Sequence, residues 1–191
     1  GMGDVARAIT EDVPDVEYVT VEFSAALRAK QSSLPGVRSV ARCEDLAPAP
    51  SLVFGNEILD ALPVSRVVGG ASGELLELYL DVDAKGRFKE KLGPARDPRL
   101  EARLKRVGQW PLRGQVFDVA PALEEFVRSA ARLADPGLLV LIDYGEYADT
   151  LYAPTKLNGT LATYKLGGKF FDPYEDVGAR DITADVDFTA V

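Results

Sequence analysis

Residues 121–145 read PALEEFVRSAARLADPGLLVLIDYG, and this stretch decides the fold class. Pro121 suits the first turn of a helix, where its missing N–H leaves no bond unmade. Leu123, Phe126, Val127, Ala130, Ala131 and Ala134 recur at helical spacing, with Glu124, Glu125, Arg128 and Arg132 between them. That periodicity predicts an amphipathic helix laid over a sheet. Asp135-Pro136-Gly137 ends it, and Leu138 to Ile142 follows as an unbroken apolar run. Such a run predicts a strand covered on both faces. Asp143 then stands at its carboxyl end.

The flanking sequence repeats this alternation. Residues 4–12 predict a short helix after Gly1-Met2-Gly3. Glu17 to Phe23 alternates as a strand, Ser24 is a good N-cap, and Ala25 to Gln31 holds strong helix formers. Pro35-Gly36 marks a turn, and Val37 to Ala41 and Ser51 to Phe54 read as two more strands. Gly55-Asn56-Glu57 breaks the last of these. Ile58 to Leu62 is expected to start a helix that Pro63 stops. The middle differs: Val67, Val68 and Leu75 to Val82 flank a glycine-rich turn, a hairpin signal, followed by a short helix from Asp97 to Arg106 and a strand from Gln115 to Val119. After Asp143 come loop-like residues 144–159, a strand at Thr160 to Leu166, a stretch rich in Gly, Pro and Asp, and a strictly alternating segment from Asp181 to Phe188. The expected architecture is α/β: one domain over residues 1–191, doubly wound, with a mainly antiparallel β-rich insertion near 64–118. In such sheets ligands bind beyond the carboxyl ends of the strands, here marked by Glu22, Asp45, Asn56-Glu57 and Asp143.

Composition narrows the chemistry. The 191 residues carry 22 Lys+Arg and 30 Asp+Glu, a net charge of −8, and no histidine. Without histidine the chain holds no Ser-His-Asp or Cys-His machinery, and no metal site is expected. One cysteine, Cys43, excludes an internal disulfide framework and reads as a small buried hydrophobe. The acidic balance disfavours nucleic acid and anionic membranes and suits a cationic partner. No segment approaches the roughly 18–20 apolar residues of a membrane span. No signal peptide is visible, which points to the cytoplasm. Gly1 ahead of Met2 reads as a cleavage scar.

Each candidate residue has a structural alternative. Gly1-Met2-Gly3 before a helix allows close backbone approach by a ligand, or is a disordered start. Glu22 at a strand end suits a ribose diol, or is a solvated acid. Asn56, Glu57 and Asp60 cluster at a strand end, with Asn56 alternatively a helix cap and Glu57 a partner of the helix dipole. Asp143 caps a turn or faces a cleft. Asp181, Asp185 and Asp187 form a solvated face, or an acidic lip for a guanidinium or ammonium group.

Together, GNEILDALPVSRVV (55–68), LLVLIDYG (138–145), NGTLATY (158–164) and DITADVDF (181–188) resemble hallmark segments of the MidA-like methyltransferases. YVTVEFSAALRAKQ (18–31) is similar to that family's second strand and following helix. The resemblance implies a Rossmann-like methyltransferase sheet lacking its first strand, in a chain shortened at both ends. It implies S-adenosylmethionine as cofactor, with Gly1, Gly3, Glu22, Asp45, Leu46 and Asn56 binding it. Asn56, Glu57, Asp60 and Asp143 would serve methyl transfer, and Tyr144, Asp181 and Asp185 the substrate. The family includes an assembly factor that methylates an arginine of a respiratory-complex subunit. The resemblance therefore implies a protein arginine as partner, for instance in such a subunit, and allows a homo-oligomer. The chain departs from the family in having Ala162 after its GTL segment, where a basic residue is usual, and in lacking a nearby histidine. A small-molecule methyltransferase and a non-catalytic assembly or binding module are the alternatives.

Overall fold

The computed structural model describes residues 3–13, 15–166 and 168–191. Its first elements are α1 (Asp4–Asp12), β1 (Tyr18–Val21), α2 (Ala25–Gln31) and β2 (Val37–Val40), then a 3-10 turn at Cys43–Asp45 and β3 (Ser51–Asn56). The middle holds β4 (Ser65–Gly69), β5 (Leu75–Val82), β6 (Phe88–Pro94), α3 (Pro98–Arg106) and β7 (Val116–Val119). There follow α4 (Leu123–Leu133), β8 (Gly137–Ile142), β9 (Gly145–Glu146), α5 (Ala148–Leu151), β10 (Ala162–Lys165), β11 (Gly168–Phe170), β12 (Asp181–Thr183) and β13 (Val186–Asp187). The class is mixed α/β with small sheets: β6-β5-β4-β7, β11-β10-β12, and the pairs β1-β2, β3-β8 and β13-β9. Among the described residues no helix is long and apolar enough to cross a membrane.

The chain divides into two compact units, Gly1–Phe54 with Arg128–Val140, and Gly55–Val127 with Leu141–Val191. In the first, β1 and β2 pair in parallel, Tyr18 opposite Val37 and Val21 opposite Val40. The connecting α2 starts where expected, because Ser24 Oγ accepts from the Leu27 N–H. Arg28 fixes its approach by donating to the carbonyls of Glu22 and Phe23. In the second unit, β4 lies antiparallel between β5 and β7, with Val67 opposite Glu77 and Phe117. One core cluster gathers Val67, Leu100, Leu104, Phe117 and Tyr152; another joins Leu59, Leu123 and Val186 to Phe126 and Val127 of the predicted helical stripe. Each fully buried Val, Leu or Phe side chain of these clusters contributes about 1.5–3 kcal/mol relative to exposure.

Several segments differ from the sequence-based expectation. Residues 58–62 form a turn, with Leu62 N–H donating to the Leu59 carbonyl, and not a helix. Glu57 enters that turn at φ 48°, and Pro63 leaves no room for a second helical turn. β8 is not covered on both faces: Leu138 is 59% and Ile142 51% exposed. Unbroken apolarity therefore overstated its burial. Residues 144–159 contain β9 and α5 in addition to loop, and β11 lies within the Gly/Pro/Asp-rich stretch. Asp181 to Phe188 is not one strand. β12 pairs with β10, whereas β13 pairs in parallel with β9, so the chain changes partner at Ala184-Asp185.

Gly145 shows how tightly that last pairing is made. A Cβ there would lie 2.0 Å from the Val186 carbonyl oxygen and 2.6 Å from its nitrogen, both backbone atoms that cannot swing aside. Gly145→Ala is expected to cost roughly 1–3 kcal/mol by forcing the strands apart. Urea unfolding checks this, and an unchanged midpoint would show that the pair opens freely.

Candidate functional site

Asp143 organises the second unit's polar centre. Its Oδ2 accepts from Leu59 N at 2.8 Å and Asp60 N at 3.3 Å, and its Oδ1 accepts from Tyr144 N at 2.9 Å. These bonds take up the N–H groups of residues 59 and 60 and hold the turn that replaces the expected helix. The turn carries Asp60 inward, where only 5% of the residue remains exposed. The Tyr144 hydroxyl donates to Asp60 Oδ2 at 2.5 Å, and the Asp60 carbonyl accepts from Ala184 N at 3.0 Å. Val186 N in turn donates to the Tyr144 carbonyl. Burial, and then the Asp60 hydrogen bond, push the Tyr144 phenol well above its ordinary range, so it stays a donor. Three segments distant in sequence thus meet: 57–62, 143–145 and 183–186.

Glu57 stands at the rim of this centre. Its N–H donates to the Ile142 carbonyl at 2.8 Å, but its exposed carboxylate has no partner among the described residues. The left-handed backbone conformation is uncommon for a residue other than glycine, and such positions concentrate at functional sites. Asn56 ends β3 exposed and caps no helix.

A cleft lies alongside, lined by Arg66, Lys156, Asn158, Lys169, Phe171 and Asp185 among others. Its 158–161 loop is held from below by Asp118, a fully buried side chain. Asp118 Oδ2 accepts from Thr160 N at 2.6 Å and Leu161 N at 2.8 Å, while Oδ1 accepts from Arg66 Nε. Thr160 Oγ1 then accepts from Asp185 N. The Asp185 carboxylate is half-buried and accepts no hydrogen bond among the described residues. Burial pushes its pKa up, while Lys169 and Lys156 pull it back. Asp181 is exposed on β12, opposite Tyr164.

The residues assigned to the cofactor, Asn56 apart, lie in the first unit. Gly3 caps α1 at φ 95°, a left-handed conformation that favours glycine; a Cβ there would lie 2.5 Å from Leu34 Cδ1. Glu22 directly follows β1, and its Oε1 accepts from Ser24 N at 2.8 Å, which fixes the carboxylate at the strand end. Asp45 Oδ2 accepts from Arg42 N, and Leu46 N donates to the Cys43 carbonyl, closing the 3-10 turn. Gly1 lies outside the described residues. A fixed strand-end carboxylate offers an acceptor, and the N–H groups at a glycine-led helix start offer donors, which fit a nucleoside-bearing cofactor.

The comparison with known families decides the family. Residues 2–191 match the model of a family described as "Putative S-adenosyl-L-methionine-dependent methyltransferase". The chain belongs to this family. The MidA-like segments quoted above are thus in accord with the match over almost the whole chain. Among curated proteins it is similar to the "Protein arginine methyltransferase NDUFAF7 homolog, mitochondrial" of Drosophila melanogaster, 29% identical over 78% of this chain and 33% of that protein. Among solved structures it is similar to a Burkholderia thailandensis protein bound to S-adenosyl-homocysteine, at 27% identity and a TM-score of 0.78 over 100% of this chain and 51% of that one. A native crystal structure from the same organism gives 27% identity and a TM-score of 0.79, covering 53% of its chain. The chain therefore spans about half the length of those structures and a third of the curated relative.

Two residues that hold the polar centre and the cleft in shape carry no local sequence signal. Asp118 sits in the apolar run Val116–Val119, and its pairing with Arg66 across β7 and β4 depends on a register that no local pattern reveals. Asp187 was expected on an acidic face. It is buried and pairs at 2.5 Å with Arg103, a guanidinium from the chain itself.

Proposed function

We propose that the chain carries the S-adenosylmethionine-dependent methyl-transfer machinery of its family and that the acceptor is a protein arginine. The cofactor supplies an electrophilic methyl group on a sulfonium. Gly3, Glu22, Asp45 and Leu46 are assigned to holding it, with Glu22 taking the ribose hydroxyls. The corresponding fold proposal is a Rossmann-like sheet containing β1–β2 and β3–β8, with residues 64–118 as an inserted β-rich subdomain. The parallel β1–β2 pair bridged by α2 supports it.

The observation that carries the arginine reading is Glu57, a carboxylate without a partner among the described residues, beside the Asp60–Tyr144 pair. An arginine stays protonated, with a pKa of about 12.5–13.8, and its nitrogens are poor nucleophiles. Glu57 pairs with the guanidinium and draws its charge toward the bound nitrogens, leaving the remaining one richer in electrons. Asp60, through Tyr144, and Asp143, through its backbone bonds, position the turn that presents Glu57. No histidine is needed for these roles. The name of the Drosophila relative and the net charge of −8 support the same acceptor.

Incubation with labelled S-adenosylmethionine and an unfractionated protein extract is expected to yield labelled methylarginine after hydrolysis. Label confined to free metabolites would overturn the arginine reading. Glu22→Ala is expected to weaken cofactor binding about tenfold or more, as loss of a charged hydrogen-bond partner should. Calorimetric titration measures it, and equal affinity would remove Glu22 from the site. Placement in the cytoplasm belongs to the same proposal and is checked by cell fractionation, since the Drosophila relative is named as mitochondrial.

A further inference from the structure

The cleft beside the Asp60–Tyr144 pair holds an unusual cation. Its other basic side chains are matched: Arg66 by Asp118 and Glu90, and Lys156 by Glu146 at 3.6 Å. Lys169 has no carboxylate in contact among the described residues. Its Nζ lies instead 5.6 Å from the centre of the Tyr164 ring and 5.5 Å from that of Phe171. Both distances are within cation–π reach. Asp185 lines the same cleft as Lys169 and Lys156 and accepts no hydrogen bond among the described residues. Two aromatic faces on one cation, with an unsatisfied carboxylate lining the same cleft, are the chemistry of a site for a cationic side chain.

We infer that Tyr164, Phe171 and Asp185 form the seat of the acceptor's cationic side chain, and that Lys169 occupies it until the acceptor displaces it. This rests on the reading of the acceptor as a protein arginine. The seat is joined to the proposed reaction centre through the backbone at 184–185, because the Asp60 carbonyl accepts from Ala184 N, next to Asp185. Displacement favours an arginine. A guanidinium pairs with a carboxylate through two parallel bonds, stacks flat on aromatic faces, and is more weakly hydrated than an ammonium. Lys169 is poorly anchored by comparison: it is exposed on the three-residue strand β11 and follows Gly168. The two rings bind whichever cation is present, and Asp185 decides in favour of the one that reaches it.

The placeholder role predicts the opposite sign from a cationic rim that attracts acidic peptides. N-acetyl-arginine amide is titrated into the chain and followed by NMR, without cofactor. Lys169→Met is expected to tighten binding of this probe about tenfold, by removing the competitor for two cation–π contacts. Asp185→Asn is expected to abolish binding, and the neutral N-acetyl-citrulline amide should not respond to either change. Weaker or unchanged binding in Lys169→Met overturns the inference, as does equal binding of the citrulline probe or no binding of the arginine probe. The proposed function fails separately: an arginine probe that binds as expected, in a chain that transfers no methyl group to arginine, leaves this seat intact and removes only the reaction.

Discussion

Replacing Arg103 by alanine is expected to destabilise the protein by about 3–5 kcal/mol, the usual cost of stripping one partner from a buried ion pair. Arg103 and Asp187 have side chains only 10% and 7% exposed, and they meet at 2.5 Å. Burial pulls the Arg103 pKa down, but its bonds to Asp187 and Glu124 outweigh this and leave it raised. Removing the guanidinium leaves the Asp187 carboxylate buried against the Tyr152 hydroxyl, with the Thr189 N–H on its other oxygen. Glu124 retains Arg106, so the loss falls on Asp187. At roughly 2–4 °C per kcal/mol for a chain of this size, the melting temperature should fall by about 10 °C. Arg103→Met with Asp187→Leu should recover most of the loss, because two apolar side chains replace a desolvated pair. A drop under about 1 kcal/mol in the single variant would mean that water reaches the pair. The consequence is local as well as global: β13 holds β9 in register just after Tyr144, so the variant should also disturb the proposed site.

The same contrast explains what could be read from the sequence. Elements defined by short-range chemistry were legible. α1 and α2 begin and end as expected, and α3 runs from Pro98 to Arg106 behind the Asp97 cap. The hairpin of β4 and β5 follows from the glycines between them, and α4 from its apolar stripe. The polar centre was legible only as a set of residues at strand ends. Its arrangement depends on Asp143 reaching Leu59 across 84 positions, and that contact rewrote a segment with good local helical credentials into a turn. Asp181, Asp185 and Asp187 looked equivalent by alternation. The change of partner between β12 and β13 separates them into an exposed, a half-buried and a buried carboxylate. Alternation reports which residues share a face only while one strand keeps one neighbour.

Glu57→Gln is expected to cut methyl transfer by about 100- to 1,000-fold, the range seen when one electrostatic contact to a transition state is lost. The substitution removes a charge and keeps the size, and no contact among the described residues depends on the carboxylate. Folding should therefore be unaffected, and circular dichroism and melting should match the parent. Cofactor affinity should stay within about twofold, since Glu57 is assigned to the acceptor and not to the cofactor. Asp60→Asn would be a poorer test: it alters a carboxylate that Tyr144 already holds, and so mixes chemistry with a rearranged turn. The neutral glutamine still offers an oxygen to the guanidinium but cannot draw positive charge toward the bound nitrogens. If the charge on Glu57 acts in the transition state, the loss appears in kcat more than in KM. A variant that binds the acceptor less tightly at unchanged kcat would make Glu57 an anchor only. Turnover within about threefold of the parent would remove it from the reaction, and the protonated guanidinium would then need its electron density from another carboxylate.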